Sequence, residues 1–183
     1  MRMEKLTSKL QQALADAQSL AVGKDHNYIE PVHLISVLVD QKGGSIRSLL
    51  TQTGFDLAAV RKGLDRLITD LPVVTSSDGQ VSISPELNKL LNLADKLSQK
   101  NQDQYISSES VLLAAMQDKG SLGKLLNSFS VSPNAMEKAV ANLRGGASVN
   151  NPEAEENYQA LEKYTVDVTS RAEQGKLDPV IGR

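Results

Sequence analysis

Apolar residues recur along two stretches of the chain at the spacing of an α-helix. Intervals of four, three and three residues separate Leu10, Leu14, Ala17 and Leu20 in the first stretch, and Leu87, Leu91, Ala94 and Leu97 in the second. Residues at these intervals share one face of a helix. Thr7 and Ser84 stand just before the two stretches, where a hydroxyl side chain can cap the first turn. The pattern predicts two amphipathic helices with matching starts.

Three more helices are predicted after each amphipathic one. Residues 31–40 and 108–118 are almost entirely apolar, which is typical of buried helices. Glycine and serine at 43–45 and at 120–121 indicate a helix stop and a new start, followed by the leucine pairs at 49–50 and 125–126. Asp56 and Ser132 then stand where a fourth helix of each set begins.

The two sets of helices are copies of each other. Shifted by 77 residues, the segment 6–42 matches 83–119, and after a one-residue deletion near Gly43 the match continues at a shift of 76 to Leu67 and Leu143. Similar units that cannot bury an apolar face alone pack against each other. We therefore predict an all-α fold of eight helices with pseudo-twofold symmetry, in which repeat 1 covers about residues 6–70 and repeat 2 about 83–143.

The segments outside the repeats have a different composition. Residues 71–74 and 81–83 flank a Ser-Asp-Gly turn at 77–79, which favours either a hairpin or a coil wrapped past the core, and we prefer the coil. Residues 144–157 contain Gly, Ser, Asn and Pro and predict a flexible linker. From Tyr158 a helical pattern runs to Gly175, and residues 158–183 are interpreted as the first helix and opening segment of a further, truncated domain.

Composition narrows the class of protein. The chain has 20 Lys and Arg against 22 Asp and Glu, so its net charge is −2, and the basic residues are scattered rather than arranged in a nucleic-acid-binding stripe. It lacks cysteine, which excludes disulfides. No apolar run is long enough for a signal peptide or a membrane span. We expect a cytoplasmic protein that binds neither nucleic acid nor membrane.

The sequence offers no catalytic or metal site. The two histidines, His26 and His33, are interpreted as a loop residue and a helix-surface residue, because a zinc site needs about four ligands. No Ser, His and carboxylate cluster suggests a triad. The run Gly-x-x-x-x-Gly-Lys-Ser/Thr that cradles phosphates is absent from the 183 residues. This chain is therefore expected not to be an enzyme and to need no cofactor.

Two segments resemble a known family. The duplicated unit with the runs Tyr-Ile-Glu-Pro-Val-His-Leu at 28–34 and Tyr-Ile-Ser-Ser-Glu at 105–109 resembles the N-terminal domain of the Clp ATPases. The tail, from Leu-Glu-Lys-Tyr-Thr-Val-Asp at 161–167 to Asp-Pro-Val-Ile-Gly-Arg at 178–183, is similar to the opening of the first nucleotide-binding module in the protein-disaggregating branch of that family. The resemblance covers essentially the whole chain.

The resemblance implies a role in a larger machine. A parent protein of this kind is a homohexameric AAA+ ATPase with a coiled-coil middle domain. It uses ATP and magnesium to thread unfolded or aggregated polypeptide through its pore, as part of the stress response and together with the DnaK chaperone system. Val180, Ile181 and Gly182 match its adenine-contacting segment. This chain lacks the rest of that pocket, so we expect it to be a monomer that does not bind ATP.

The resemblance also implies polar substrate-handling residues, which match Thr7, Asp103 and Glu109 here. Asp103 aligns with His26 and Glu109 with Val32, so the acidic pair belongs to repeat 2 alone. Each residue also has a structural interpretation. Thr7 stands at an N-cap, Glu109 in the first turn of a helix, where a carboxylate is favourable, and Asp103 in a polar loop.

A second candidate site is apolar. The first helix of repeat 2 has more leucine than one buried face needs, since Ala13 and Asp16 of repeat 1 replace Leu90 and Leu93. Excess apolar surface beside a seam suggests a groove for unfolded peptide. The candidate groove residues are Val81, Leu90, Leu91, Leu93 and Leu97. The plain alternative is that these side chains belong to the core.

Two other functions stay open at this stage. One is the adaptor-docking N-domain of a proteolytic Clp ATPase such as ClpA or ClpC. The other is a helical module whose acidic loop binds the basic face of a partner. Charge-driven docking weakens steeply with ionic strength, whereas apolar capture does not.

Overall fold

The computed structural model describes residues 3–75, 80–156 and 158, and within them it has eight α-helices in two sets of four. Repeat 1 contains α1 (Ser8–Gly23), α2 (Pro31–Asp40), α3 (Ile46–Thr53) and α4 (Leu57–Thr69). Repeat 2 contains α5 (Pro85–Lys100), α6 (Ser108–Met116), α7 (Ser121–Asn127) and α8 (Pro133–Arg144). A single 3-10 turn, Met3–Lys5, precedes α1. The predicted all-α fold is confirmed.

The helix starts follow the local sequence. Thr7 and Ser84 cap α1 and α5 by accepting hydrogen bonds from the amides of Leu10 and Leu87. Asp56 and Ser132 cap α4 and α8 in the same way. Helix α7 differs, because Asp118 instead of the expected serine accepts the amides of Gly120 and Gly123 at 3.1 and 3.3 Å.

The two repeats exchange their leading segments. Strand β1 (Tyr28–Ile29) of repeat 1 pairs in parallel with β2 (Ser82–Ile83), which leads into repeat 2. In the symmetry-related place, Leu6 forms a parallel bridge with Ile106. The equivalent hydrogen bonds run from the Ser84 amide to the Ile29 carbonyl (3.1 Å) and from the Thr7 amide to the Ile106 carbonyl (3.0 Å). Each repeat is thus completed by the segment that leads into the other.

The connection between the repeats is not a hairpin between 71–74 and 81–83. Val73 instead bridges His26 in antiparallel fashion, and Ser82 pairs with Tyr28. Both segments therefore pair with the loop after α1 and largely follow the predicted wrapping coil. The predicted turn residues 77–79 lie outside the described residues, as do Val180, Ile181, Gly182 and the rest of 159–183.

A continuous aliphatic core lies between the helices. All nine residues of α6 are buried, and eight of the ten in α2, in agreement with their apolar sequences. Helix α2 contacts α1, α3, α4, α5 and α6, and its duplicate α6 contacts α2, α3, α5, α7 and α8, which makes these two helices the central pair of the domain. Within the described residues no helix is long and apolar enough to cross a membrane.

The histidine pair is buried, so the prediction that His33 lies on a helix surface is wrong. Nδ1 of His33 accepts the Glu30 amide at 2.8 Å, as part of the cap of α2. Its Nε2 must then carry the proton, and it donates to Nδ1 of His26 at 2.8 Å. Burial, and secondarily His26, lowers the pKa of His33 to about 4.

We expect the domain to lose stability in acid through His33. Its pKa is lower in the folded chain than in the unfolded one, so the stabilisation is complete above pH about 6.5 and is lost as the pH falls towards about 4. Imidazole NMR of the folded chain should show His33 titrating near 4, and the same ring in urea should titrate near 6.5. A midpoint near 6.5 in the folded chain contradicts the buried neutral pair.

Two helical glycines form a matched pair for a stability test. A Cβ at Gly123 in α7 would lie 1.7 Å from the Asp118 carbonyl oxygen, whereas a Cβ at Gly23 in α1 meets nothing within 4 Å. Gly123→Ala should therefore lower the free energy of unfolding by about 1–3 kcal/mol through forced backbone movement. Gly23→Ala should raise it by about 0.4–1 kcal/mol. Urea denaturation measures both changes, and equal effects contradict the described packing of α7.

Candidate functional site

A groove of about 680 Å³ lies at the seam between the repeats. We call it the seam groove. Repeat 1 contributes the start of α2 and the end of α4, with Glu30, Pro31, Val32, Leu67, Asp70 and Leu71. Repeat 2 contributes α5, the end of α6 and the loop into α7, with Glu86, Lys89, Leu90, Leu93, Ala114 and 117–122. Its volume is in the range of ordinary ligand pockets.

Two of the predicted groove residues line the seam groove. Leu90 is buried beneath the groove wall and also belongs to the core, whereas Leu93 is half-buried and extends the apolar surface formed with Leu67. The duplication explains why this wall is apolar in one half only, because Ala13 and Asp16 occupy the equivalent positions in repeat 1.

The other three predicted groove residues lie elsewhere. Leu91 is fully buried and belongs to the core. Val81 and Leu97 are half-buried and pack against that core without lining the groove. Helix geometry accounts for Leu91, which is on the inward face of α5 with Leu87 and Ala94. Leu97 points in nearly the same direction as Leu90 and Leu93, but it is one turn beyond Leu93, past the part of α5 that lines the groove.

Thr7, Asp103 and Glu109 lie together in a buried polar cluster. Their side chains are fully covered, and the residues that cover them come from the C-terminal part of the chain. Arg144, at the end of α8, contacts Asp103 at 3.1 Å and Glu109 at 3.0 Å. The hydroxyl of Thr7 donates to Glu155. Thr7 therefore has two roles: it caps α1, and it holds the carboxyl group of Glu155.

Residues 149–156 and Tyr158 form what we call the C-terminal strap. The Val149 carbonyl accepts the amides of Gln104 (2.9 Å) and Tyr105 (3.2 Å), and the Val149 amide donates to Asp103 at 3.0 Å. The Pro152 carbonyl accepts the Ser8 amide at 2.8 Å. Val149, Ala154 and Tyr158 make a small apolar cluster. The described part of the predicted flexible linker, 144–156, is therefore packed on the domain, because these distant contacts hold it.

The charges beneath the strap are unbalanced. Asp103, Glu109 and Glu155 are three buried carboxyl groups, and Arg144 is the basic side chain that pairs with the first two. Burial, followed by the charge of Glu109, raises the pKa of Glu155 to about 7, although hydrogen bonds from Thr7 and Ser108 oppose the shift. Burial also raises the pKa of Tyr158. Glu155 can therefore titrate near neutral pH.

Sequence reasoning missed Arg144, Glu155 and Tyr158. The sequence did contain a sign that Arg144 is buried, because its equivalent in repeat 1 is Ile68, a buried core residue. A charge at a core position of a duplicated unit indicates a buried partner of opposite sign. Glu155 and Tyr158 lie outside the duplication, so no such comparison was possible for them.

A second, polar groove of about 810 Å³ runs along α1, α2 and α4. We call it the polar groove. Its walls include Lys9, Gln12, Asp16, Val37, Asp40, Gln41, Lys42, Arg61 and Asp65, with Glu156 of the strap at one side. Arg61 forms ion pairs with Asp40 and Asp65, and these pairs neutralise much of the charge that lines this groove. In the described part of the chain, no group of three or more His, Cys, Asp or Glu side chains could hold a metal ion.

We predict that docking of the strap weakens as the pH rises through about 7. The docked pKa of Glu155 is above its undocked value, so the contribution is complete at low pH and is lost on deprotonation. Carboxyl ¹³C NMR should give a Glu155 midpoint near 7, with the Ser108 amide shifting at the same pH. Glu155→Gln should remove the Ser108 transition, and the control Glu153→Gln, at an exposed bond to Ser8, should retain it. A Glu155 midpoint between 4 and 5 contradicts the buried site.

Comparison with known proteins gives consistent results. The family model described as the Clp repeat N-terminal domain matches residues 5–129. The chain is 59% identical over 183 residues to a Pseudomonas putida protein described as chaperone protein ClpB, which covers 100% of this chain and 21% of that relative. The chain thus spans about a fifth of the length of this relative.

Solved structures share the fold at low sequence identity. The N-terminal domain of Hsp104 from Candida albicans has a TM-score of 0.72 at 17% identity, covering 82% of this chain and 99% of that one. A complex of the ClpV N-domain with a VipB peptide has a TM-score of 0.62 at 24% identity, covering 75% and 86%.

Proposed function

The chain belongs to the family of Clp repeat N-terminal domains, and we propose that it captures unfolded or aggregated polypeptide in the seam groove for a ClpB-like protein disaggregase. The observation that carries the proposal is the open apolar wall formed by the partly exposed Leu67, Leu71 and Leu93 between the repeats, above the buried Leu90. An apolar groove with a charged rim suits exposed hydrophobic segments, which are what distinguishes an unfolded protein from a folded one.

A structural neighbour supports this use of the fold. The solved complex of a ClpV N-domain with a VipB peptide is, by its description, an N-domain with a bound peptide. A peptide-binding role for the present domain is consistent with that example. The identity of the ligand comes from the groove of this chain alone.

The expected affinity of one domain is low. Burying about 300 Å² of apolar surface gives a gross gain of about 7 kcal/mol. Association and side-chain ordering cost on the order of 4 kcal/mol or more. The remainder corresponds to dissociation constants roughly between millimolar and tens of micromolar. Several copies in one assembly recover affinity through avidity.

The remaining features of the machine belong to the same proposal. In a parent protein of the ClpB type, the domain is one of six copies on a homohexameric AAA+ ring that uses ATP and magnesium and works with the DnaK system in the cytoplasm. The domain itself carries no catalytic step and acts as a monomeric binding module. In this proposal residues 144–156 and Tyr158 belong to the domain and not to the linker.

The acidic docking alternative has less support. It requires Asp103 and Glu109 to face a basic partner, but both side chains are fully buried and paired with Arg144. The seam groove has apolar surface that a ligand can reach, whereas the side chains of Asp103 and Glu109 have no exposed surface. Adaptor docking in a proteolytic Clp ATPase is the second candidate function, with less support than capture of unfolded polypeptide.

A matched pair of variants tests the proposal. Leu93→Asp places in the groove the residue that repeat 1 already has at its equivalent position, Asp16, so the fold should tolerate it. We expect it to weaken binding of an unfolded, apolar model polypeptide at least tenfold by amide NMR titration, and the loss should persist at high salt. Val73→Asp, at a 61% exposed apolar site outside the groove, should bind normally. Unchanged binding by a folded Leu93→Asp chain contradicts the proposal.

A further inference from the structure

One wall of the seam groove and one wall of the polar groove are equivalent surfaces of the two repeats. Seven residues of α5, α6 and the following loop that line the seam groove have duplicated counterparts that line the polar groove. The pairs are Glu86/Lys9, Lys89/Gln12, Leu93/Asp16, Ala114/Val37, Gln117/Asp40, Asp118/Gln41 and Lys119/Lys42. The pseudo-twofold symmetry therefore relates one wall of the two grooves, whereas the other wall of the polar groove is formed by α4 residues whose counterparts do not line the seam groove.

The remaining wall is open in one half and covered in the other. In the seam groove it is formed by Pro31, Val32 and Leu67, whose counterparts are Ser108, Glu109 and Leu143. The strap covers these counterparts. The Ser108 amide donates to Glu155 at 2.9 Å, and Leu143 packs against the apolar cluster of the strap. The chain itself thus occupies the position that is empty in the seam groove.

The occupying segment is a turn of helix. Residues 154–156 and 158 are helical, and the buried side chains are Ala154, Glu155 and Tyr158, which are 6%, 3% and 4% exposed. Positions i, i+1 and i+4 lie on one side of a helix. The preceding Pro152 carbonyl anchors the segment to the Ser8 amide.

We infer that the seam groove binds its peptide as a helical turn, in the pose that the strap adopts on the other half of the molecule. This inference rests on the proposed function and adds to it the conformation of the bound segment. An isolated peptide of this length is not stably helical in water, so the turn forms as the peptide binds.

The side chains of the groove specify an apolar anchor in place of Glu155. In the strap half, the Thr7 hydroxyl and the Ser108 amide hold the Glu155 carboxyl group. The counterpart of Ser108 is Pro31, which has no amide hydrogen to donate. The counterpart of Glu109 is Val32. The counterpart of Thr7 is Ser84, so a carboxylate at that position would have one hydroxyl donor and no amide donor, whereas an aliphatic side chain would be buried favourably against Val32.

The rim of the groove favours a cationic ligand. Four acidic residues, Glu30, Asp70, Glu86 and Asp118, line the groove, against two basic residues, Lys89 and Lys119. The excess negative charge attracts a peptide with lysine or arginine beside its apolar anchors. The expected occupant is therefore a short amphipathic segment, apolar at i, i+1 and i+4 and basic on its outer side.

Synthetic peptides based on residues 150–160 test the inference. Both peptides carry Glu155→Leu and Glu156→Lys, to supply the apolar anchor and the cation. One also carries Asn157→Ala, which favours the helix, and the other Asn157→Pro, which blocks it at a cost of about 3 kcal/mol per helical proline. Each is titrated into the complete 183-residue chain by amide NMR. We expect the alanine peptide to bind at least tenfold more tightly, with shifts at Val32, Leu67 and Leu93.

The possible outcomes separate the inference from the proposed function. Equal affinity of the two peptides overturns the helical pose and leaves peptide capture intact. Shifts confined to the polar groove, or to the strap through exchange with it, also overturn the inference. If neither peptide binds but an unfolded apolar polypeptide does, the helical pose is again wrong. If nothing binds, both proposals fail. Loss of the alanine peptide's shifts in Leu93→Asp but not in Val73→Asp supports the seam groove as its site.

Discussion

The reciprocal exchange of leading segments between the repeats is the constraint on which the rest of the structure depends. The Thr7 amide donates to the Ile106 carbonyl, and the Ser84 amide donates to the Ile29 carbonyl. Each repeat is therefore completed by the segment that leads into the other repeat. Buried backbone groups must be paired, and the exchange pairs them across the seam. It also holds the caps of α1 and α5 against the opposite repeat, which positions both grooves. A duplication alone would not require this arrangement, but the exchange makes the two copies one folding unit.

Sequence differences between the two repeats then determine which of the two equivalent surfaces is open. In one half the sequence carries Ser108 and Glu109, and the strap folds onto them with polar contacts. In the other half it carries Pro31 and Val32, which offer no such contacts and leave an apolar wall. Both places are the first turn of the same duplicated helix, α2 in repeat 1 and α6 in repeat 2. A few substitutions therefore distinguish a surface that holds the chain's own strap from one that lines an open groove.

The buried charges under the strap are better understood as a latch than as a source of stability. Desolvating an ion pair costs about as much as the pairing returns, so Arg144 and its two carboxylates contribute little net stabilisation. Removing one partner is expensive, however, because the others are left buried and unpaired. Such a cluster specifies one position for the strap. Glu155, whose pKa is raised to about 7, adds a charge that the cluster cannot pair only when it loses its proton.

The sequence by itself determined the helices, their caps at Thr7 and Ser84, the duplication and the extra leucines of α5, because each depends on residues close together or on comparison of the two copies. It could not determine that Leu91 is core while Leu90 and Leu93 face a groove, since all three lie within one turn of the helix. Only the tertiary structure decided the burial of Asp103 and Glu109 and the packing of residues 144–156. Those features depend on contacts between residues far apart in the chain, such as Thr7 with Glu155, and no local pattern encodes them.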